Sequence, residues 1–282
     1  MGIPESFLRR TPYVVYTAVD DLVPSRGSTI AGFDEFTAAL EHNGIPNVWV
    51  TNRSRLHIDA PRRENGHTDP FISEGGSVVC TPEDYFHLKP AKTIPLGRFT
   101  CIPVAEPLPA AANALGSLSE DTGIPVVTLK SLSPRELVQN AGLRMQDAEQ
   151  MRRRDFDELF FFAGATDEDE LKFQKEAAAR GLQLRQDGVL WVLSIKADLR
   201  RCIQEITKLY DRALKYHAHT LGIATAKYAA SLFPACERTV LLTDRKSPEA
   251  TNSASTMQFP LHGPDTWEDI LSLLSSKNEG AR

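Results

Sequence analysis

At 282 residues, the chain is long enough for one large domain or two medium ones, each able to bury its own core. With 41% apolar and 24% charged residues it has the composition of an ordinary globular protein, and 32 Lys and Arg against 37 Asp and Glu leave a net charge of −5, which argues against general nucleic-acid binding. Cys80, Cys101, Cys202 and Cys236 form no Cys-x-x-Cys pair and have no His at ligand spacing, so neither a zinc site nor a disulfide framework is expected, and a reducing cytoplasm is the expected location.

Residues 1–10 lack the apolar core of a signal peptide, and no run reaches the roughly 18 apolar residues of a membrane span. Met1 to Ser6 fits a myristoylation pattern only loosely and reads as a disordered start. The first clear element is Tyr13-Val14-Val15-Tyr16-Thr17-Ala18-Val19, an apolar run that ends on Asp20-Asp21. A buried parallel strand delivers polar groups to its carboxyl end in this way, and α/β sheets place their chemistry there. A polar loop with Pro24, Arg26 and Gly27 follows, and then Phe33, Phe36 and Leu40 recur at helical spacing before Asn43-Gly44 closes the helix. Asn47 to Thr51 is a second buried strand, so residues 13–51 form a strand, helix, strand unit whose right-handed crossover makes a parallel sheet.

The second strand ends on Thr51-Asn52-Arg53, and Pro61 should shorten or break the next helix. After Pro70-Phe71-Ile72-Ser73-Glu74-Gly75-Gly76, strands and helices alternate from about Pro82 to Trp191. Ser133-Pro134 opens a helix with a cap and a proline at its first position. Residues 147–154 read as a polar helix, with Arg152-Arg153-Arg154 as its solvated face. Strands are expected at 157–162 and 188–194 and an amphipathic helix at 167–180, with Phe160-Phe161-Phe162 in the core of this part of the chain. Lys196 precedes a long helix, Leu199 to Tyr216, and the segment from His219 to Leu232 carries Thr225 and Ala229. The seven His show no metal spacing, and His217 and His219 read as surface residues. A strand at 239–243, a polar loop at 246–256 and a helix at 264–275 complete the chain. No Gly-x-Ser-x-Gly turn supports a serine hydrolase.

Several of these segments carry a resemblance. Tyr13 to Leu22 is similar to the first motif of haloacid dehalogenase-like phosphatases, a strand ending in Asp-x-Asp-Gly-Thr, with Ala18 at the nucleophile position, Asp20 at the general-acid position and Asp21-Leu22 in place of Gly-Thr. Thr51-Asn52-Arg53 resembles the second motif, Lys196 the cation of the third, and Thr225 and Ala229 stand at the acidic positions of the fourth. Residues 70–76 resemble a Pro-Phe-Ile-x-Glu-Asn-Gly segment in which Gly75 replaces Asn, and residues 148–159 look like a segment of mannosyl-3-phosphoglycerate phosphatases. The resemblance, from Tyr13 to Leu274, implies an α/β fold: a doubly wound parallel-sheet core from residues 1–82 and 191–282, with an α/β cap inserted at 83–190.

Phosphoryl transfer to a carboxylate needs that nucleophile, a second acid for the leaving oxygen and a divalent cation, and magnesium wants oxygen ligands. Ala18, Thr225 and Ala229 supply none, and sliding the register to make Asp20 the nucleophile puts Leu22 at the acid position without restoring the fourth motif. The expectation is therefore a catalytically inactive relative with a binding, regulatory or assembly role and no cofactor. The alternative is a magnesium-dependent phosphatase acting on a phosphorylated sugar-glycerate such as mannosyl-3-phosphoglycerate, with a nucleophile not evident in the motifs. Asp20 with the anion-binding set Thr51, Asn52 and Lys196 remains, to hold a phosphate or other anion, or Lys196 to pair with Asp20. Arg53 and Arg26 read as solvated loop residues, with lining of the same mouth as the alternative. Expected partners are a small phosphorylated sugar or anion, or a protein, with no nucleic acid and no membrane.

Overall fold

The computed structural model describes residues 13–24, 28–87, 90, 92–141, 144–244 and 256–275. Met1 to Ser6, Arg26 and the loop at 246–255 lie outside the described residues.

The chain enters through β1 (Tyr13–Ala18), α1 (Phe33–His42), β2 (Asn47–Val50), α2 (Arg55–Glu64), β3 (Phe71–Ser73), β4 (Val78–Pro82), β5 (Ile94–Leu96) and β6 (Phe99–Pro103). It continues through α3 (Leu108–Thr122), β7 (Val126–Thr128), α4 (Pro134–Ala141), α5 (Met145–Met151), β8 (Glu158–Phe162), α6 (Asp167–Ala179), β9 (Gln183–Asp187) and β10 (Leu190–Ser194). It ends with α7 (Leu199–Leu214), β11 (His219–Thr225), α8 (Ala226–Leu232), β12 (Arg238–Thr243), β13 (Thr256–Pro260) and α9 (Thr266–Ser275). No described helix is long and apolar enough to cross a membrane.

All six residues of β1 are buried because both faces of the sheet are covered. Alternation sends Tyr13 and Val15 into one core with Phe33, Phe36 and Trp267, and Val14, Tyr16 and Ala18 into the other with Ile203, Ile206 and Tyr210. Helices α1 and α9 thus cover one face and α7 the other, which makes the sheet doubly wound. Its nine strands run in the order β13-β12-β11-β1-β2-β3-β4-β6-β5. The six from β13 to β3 are mutually parallel, and β4, β6 and β5 are added antiparallel.

That edge corrects the expected boundary at residue 82. Residues 94–103 belong to the large sheet because Cys80 and Cys101 are opposite partners in the β4/β6 ladder, and the chain leaves it only beyond Pro103. The inserted unit is a separate antiparallel sheet, β7-β8-β10-β9, with a core of Leu115, Phe160, Phe173 and Trp191 on one face and Leu137, Leu159 and Val192 on the other. Exit and return are tied together where the Glu106 N–H donates to the Ile195 carbonyl at 2.9 Å.

Helix α2 is also unlike the expectation, since it runs through Pro61 unbroken. Ser54 caps its start by accepting from the His57 N–H, Pro61 is buried, and Asn65 Nδ2 donates back to the Pro61 carbonyl at 2.8 Å, so both ends are held despite the missing N–H.

The joint between the sheets is ionic and buried. Glu74, held at a left-handed φ of 51° and 1% exposed, accepts the backbone N–H groups of Asp155, Phe156 and Asp157 at 2.9–3.1 Å. Arg154 forms a bidentate pair with Asp157 and lies 4.0 Å from Glu74, and its Nη2 donates to the Asn52 carbonyl at 2.8 Å. Arg154 is therefore no part of a solvated helix face: the helix stops at Met151, and the irregular chain beyond it turns the guanidinium inward. Burial and the neighbouring Asp157 charge push Glu74 up to about 8, while burial of Arg154 is outweighed by Asp157 and Glu74, which hold it charged.

Candidate functional site

The carboxyl ends of β1, β2 and β11 converge, as in-register parallel pairing requires. A cavity of about 240 Å³ opens there, lined by Ala18, Asp20 and Thr51 from the strand ends, Leu199 and Lys227 from the starts of α7 and α8, and Arg185 from β9. An adjoining cavity of about 220 Å³ shares Asp20, Asn52, Arg185 and Lys227 and adds Asp21, Arg53 and His57.

Beyond Ala18 the backbone folds into a tight turn, with the Leu22 and Val23 N–H groups both donating to the Val19 carbonyl. This directs Asp20 toward β2, where its carboxylate accepts the Thr51 hydroxyl and, at 2.7 Å, the Asn52 N–H, with Arg53 Nε 3.4 Å away. The hydroxyl and N–H that could receive an anion at the end of β2 thus already hold a carboxylate. Arg53 Nη2 donates to the Asp20 and Val23 carbonyls, while Nη1 is buried without a hydrogen-bond partner among the described residues. Asp21 accepts the Thr225 hydroxyl at 2.6 Å.

From the opposite wall, Lys227 Nζ lies 3.3 Å from Asp187, and Tyr228 beside it is pushed up to about 12 by burial and the Asp20 charge. Burial lowers the Lys227 pKa, but the neighbouring Tyr228 and Asp187 outweigh it and the net shift is upward. Burial and nearby Arg53 push His57 down to about 4. Gly75, at φ 63°, gives Arg185 its room: a Cβ there would stand 3.2 Å from the Asn52 side chain and 3.4 Å from the guanidinium. Magnesium does not fit this donor set. All three lining carboxylates are engaged, Asp20 by Thr51 and Asn52, Asp21 by Thr225 and Asp187 by Lys227; Ala18 and Ala229 offer no side-chain oxygen, and Arg53, Arg185 and Lys227 supply positive charge around the same space.

No family model matches the chain. A glucosyl-3-phosphoglycerate/mannosyl-3-phosphoglycerate phosphatase from Persephonella marina is 22% identical over 247 residues, 86% of this chain and 89% of that protein. A protein of the same name from Methanococcoides burtonii is 23% identical over 174 residues, 61% of this chain, and the chain spans 62% of that relative's length. Among solved structures, a haloacid dehalogenase-like hydrolase from Bacteroides thetaiotaomicron has a TM-score of 0.62 at 10% identity, covering 93% of this chain and 99% of its own. Another from B. subtilis has a TM-score of 0.55 at 14% identity, with coverages of 86% and 94%. The fold is haloacid dehalogenase-like, and the chain resembles the mannosyl-3-phosphoglycerate phosphatases.

Within this haloacid dehalogenase-like fold, Asp20, Thr51 and Asn52 are brought together and Lys196 is not. Lys196 sits in the turn before α7 at φ 62°, its side chain 69% exposed, and pairs with Glu106 at 2.7 Å across the two crossings into the inserted unit. In this arrangement its ammonium is paired with Glu106 and with neither Thr51 nor Asp20. The helix start facing the cavity carries Leu199 instead, and its backbone packs so closely on Gly76 that a Cβ there would meet the Leu199 nitrogen at 2.5 Å. Thr225 and Ala229 remain non-acidic, with the Thr225 hydroxyl given to Asp21.

Lys227 lies two residues beyond Thr225 and faces the cavity, a cation in the segment whose resemblance directs attention to acids. Arg185 and Asp187 gave no signal at all. Their alternation on a polar strand acquires a direction only when β9 pairs with β10.

Proposed function

We propose that this haloacid dehalogenase-like chain binds a small anionic ligand, of the phosphorylated sugar or sugar-acid class, and does not hydrolyse it through an aspartyl phosphate. Ala18 carries this reading. It ends β1 at 2% exposure with a methyl group where the chemistry needs an oxygen, and the nearest carboxylate, Asp20, is held by the Thr51 hydroxyl, the Asn52 N–H and Arg53. Arg185 and Lys227, which line both cavities, give an anion somewhere to bind in their shared mouth. The role is then binding, regulation or assembly, exercised through the ligand-holding state.

A phosphatase is the second reading, favoured by the names of the two relatives and by the presence of Asp20 within the cavity. Assay of the wild type with mannosyl-3-phosphoglycerate and a generic phosphate ester, with and without magnesium, separates the two. The first reading expects no turnover above blank, alongside saturable phosphate binding by calorimetry. Magnesium-dependent turnover that disappears in Asp20→Asn would establish the second.

A further inference from the structure

At the amino end of β11, on the edge away from both cavities, lie three side chains with no part in the chemistry above. His217 and His219 are two residues apart at the entry to β11, a spacing that puts both on one face of an extended chain. Glu237 immediately precedes β12, the parallel neighbour of β11, and its backbone is fixed where its N–H donates to Thr220 Oγ1 at 2.8 Å. Its carboxylate lies between the two rings, with Oε1 3.0 Å from His217 Nε2 and Oε2 2.6 Å from His219 Nδ1. One ligand atom from each of the three lies within 4.8 Å of the others. Behind His217, Asp211 near the end of α7 is anchored by accepting the Ala218 N–H at 2.7 Å, and its second oxygen is 3.4 Å from His217 Nδ1.

We propose that His217, His219 and Glu237 bind a divalent transition-metal ion of the zinc class, with Asp211 orienting the His217 ring. Two imidazoles and one carboxylate suit zinc, copper or nickel and are a poor match for magnesium, which wants oxygen throughout. Three protein ligands with a fourth position left to water is a common zinc arrangement, and a carboxylate behind a ligating imidazole fixes both its tautomer and its direction. Ligand bonds of about 2.0–2.2 Å keep any two donors within about 4.4 Å of each other, so the exposed rings and carboxylate draw together on the ion from their present spread of up to 4.8 Å. All three side chains are at least 42% exposed, so an ion can enter from solvent. The neighbouring thiol is not a ligand: Cys236 Sγ is tucked against Gly222, where a Cβ would stand 2.9 Å from it. From His219 to Thr225 the strand spans about 20 Å at its usual rise, which separates this site from the cavities at the other end.

A bound ion ties the entry of β11 to the start of β12 and stabilises the fold by mass action. Chelator-treated full-length protein titrated with zinc by calorimetry should take up one equivalent, and two sets of histidine ring-proton NMR signals should shift, those absent from His217→Ala and His219→Ala spectra. The melting temperature should rise with zinc in the wild type and in His42→Ala. Glu237→Gln and His219→Ala should abolish saturable uptake, and Asp211→Asn should weaken it by about 10–100-fold, the usual loss for an outer partner. Absence of saturation in the wild type, unchanged binding in both ligand variants, or equal ring shifts with magnesium would overturn the assignment.

Discussion

The joint around Glu74 and the cavity around Ala18 are neighbours, linked by the Arg154 bond to the Asn52 carbonyl, yet they are built in opposite ways. At the joint every charge is buried and answered: Glu74 closes three backbone N–H groups, and Arg154 spans Asp157 and Glu74. At the cavity the strand ends and helix starts are in position, but Ala18 and Leu199 bring a methyl and an isobutyl group to them, and Asp20 fills the donors at the end of β2. The contrast separates what assembly requires from what phosphoryl transfer requires. Removing a partner from the joint strands a buried charge, whereas an alanine at a buried strand end costs the fold nothing.

The largest effect should come from Arg154→Ala, which leaves Glu74 and Asp157 facing each other without a cation. Urea unfolding should show a loss of about 3–5 kcal/mol. A loss below about 1 kcal/mol would place the joint with ordinary surface pairs and erase the contrast.

pH should distinguish the two regions by sign. His57, beside the cavity, is lowered to about 4 from 6.5, so its contribution is present above about 6.5 and lost as pH falls toward 4, by up to about 3 kcal/mol. Glu74, at the joint, is raised from 4.5 to about 8, so its contribution is complete below 4.5 and lost as pH rises through 8. Stability against pH should lose its acid-side fall in His57→Gln and its alkaline-side fall in Glu74→Gln. Matching curves for the two variants would show that neither group sets the profile.

A smaller effect is expected at the occupied donors. Asp20→Asn removes a negative charge from beside Thr51 and Asn52 and should tighten phosphate binding about tenfold, or about 1.4 kcal/mol, by calorimetry. Lys196→Ala should leave that affinity unchanged, since its ammonium pairs with Glu106. Weakening by Lys196→Ala would relocate the anion.

The smallest shift concerns magnesium. Ala18→Asp with Thr225→Asp and Ala229→Asp crowds carboxylates whose repulsion raises their pKa values, and magnesium should recover part of the lost stability as a rise of about 2–4 °C in melting temperature per kcal/mol. The wild type should scarcely move. An equal rise in both would mean the present donors already hold the ion.

The sequence alone determined the parallel core and the meeting of Asp20, Thr51 and Asn52, because apolar runs, caps and crossovers are local signals and parallel pairing forces strand ends to converge. It did not determine which residue of the turn before α7 reaches the cavity. Counting along the chain favours Lys196, but one left-handed residue and the Asp198 cap hand the position to Leu199. Nor did it show that residues 94–103 stay in the large sheet, that Arg154 is buried, or that Glu237 joins two histidines 18 and 20 residues earlier. Each of these depends on a partner distant in sequence, and a charged or polar side chain acquires a direction only when tertiary packing decides what faces it.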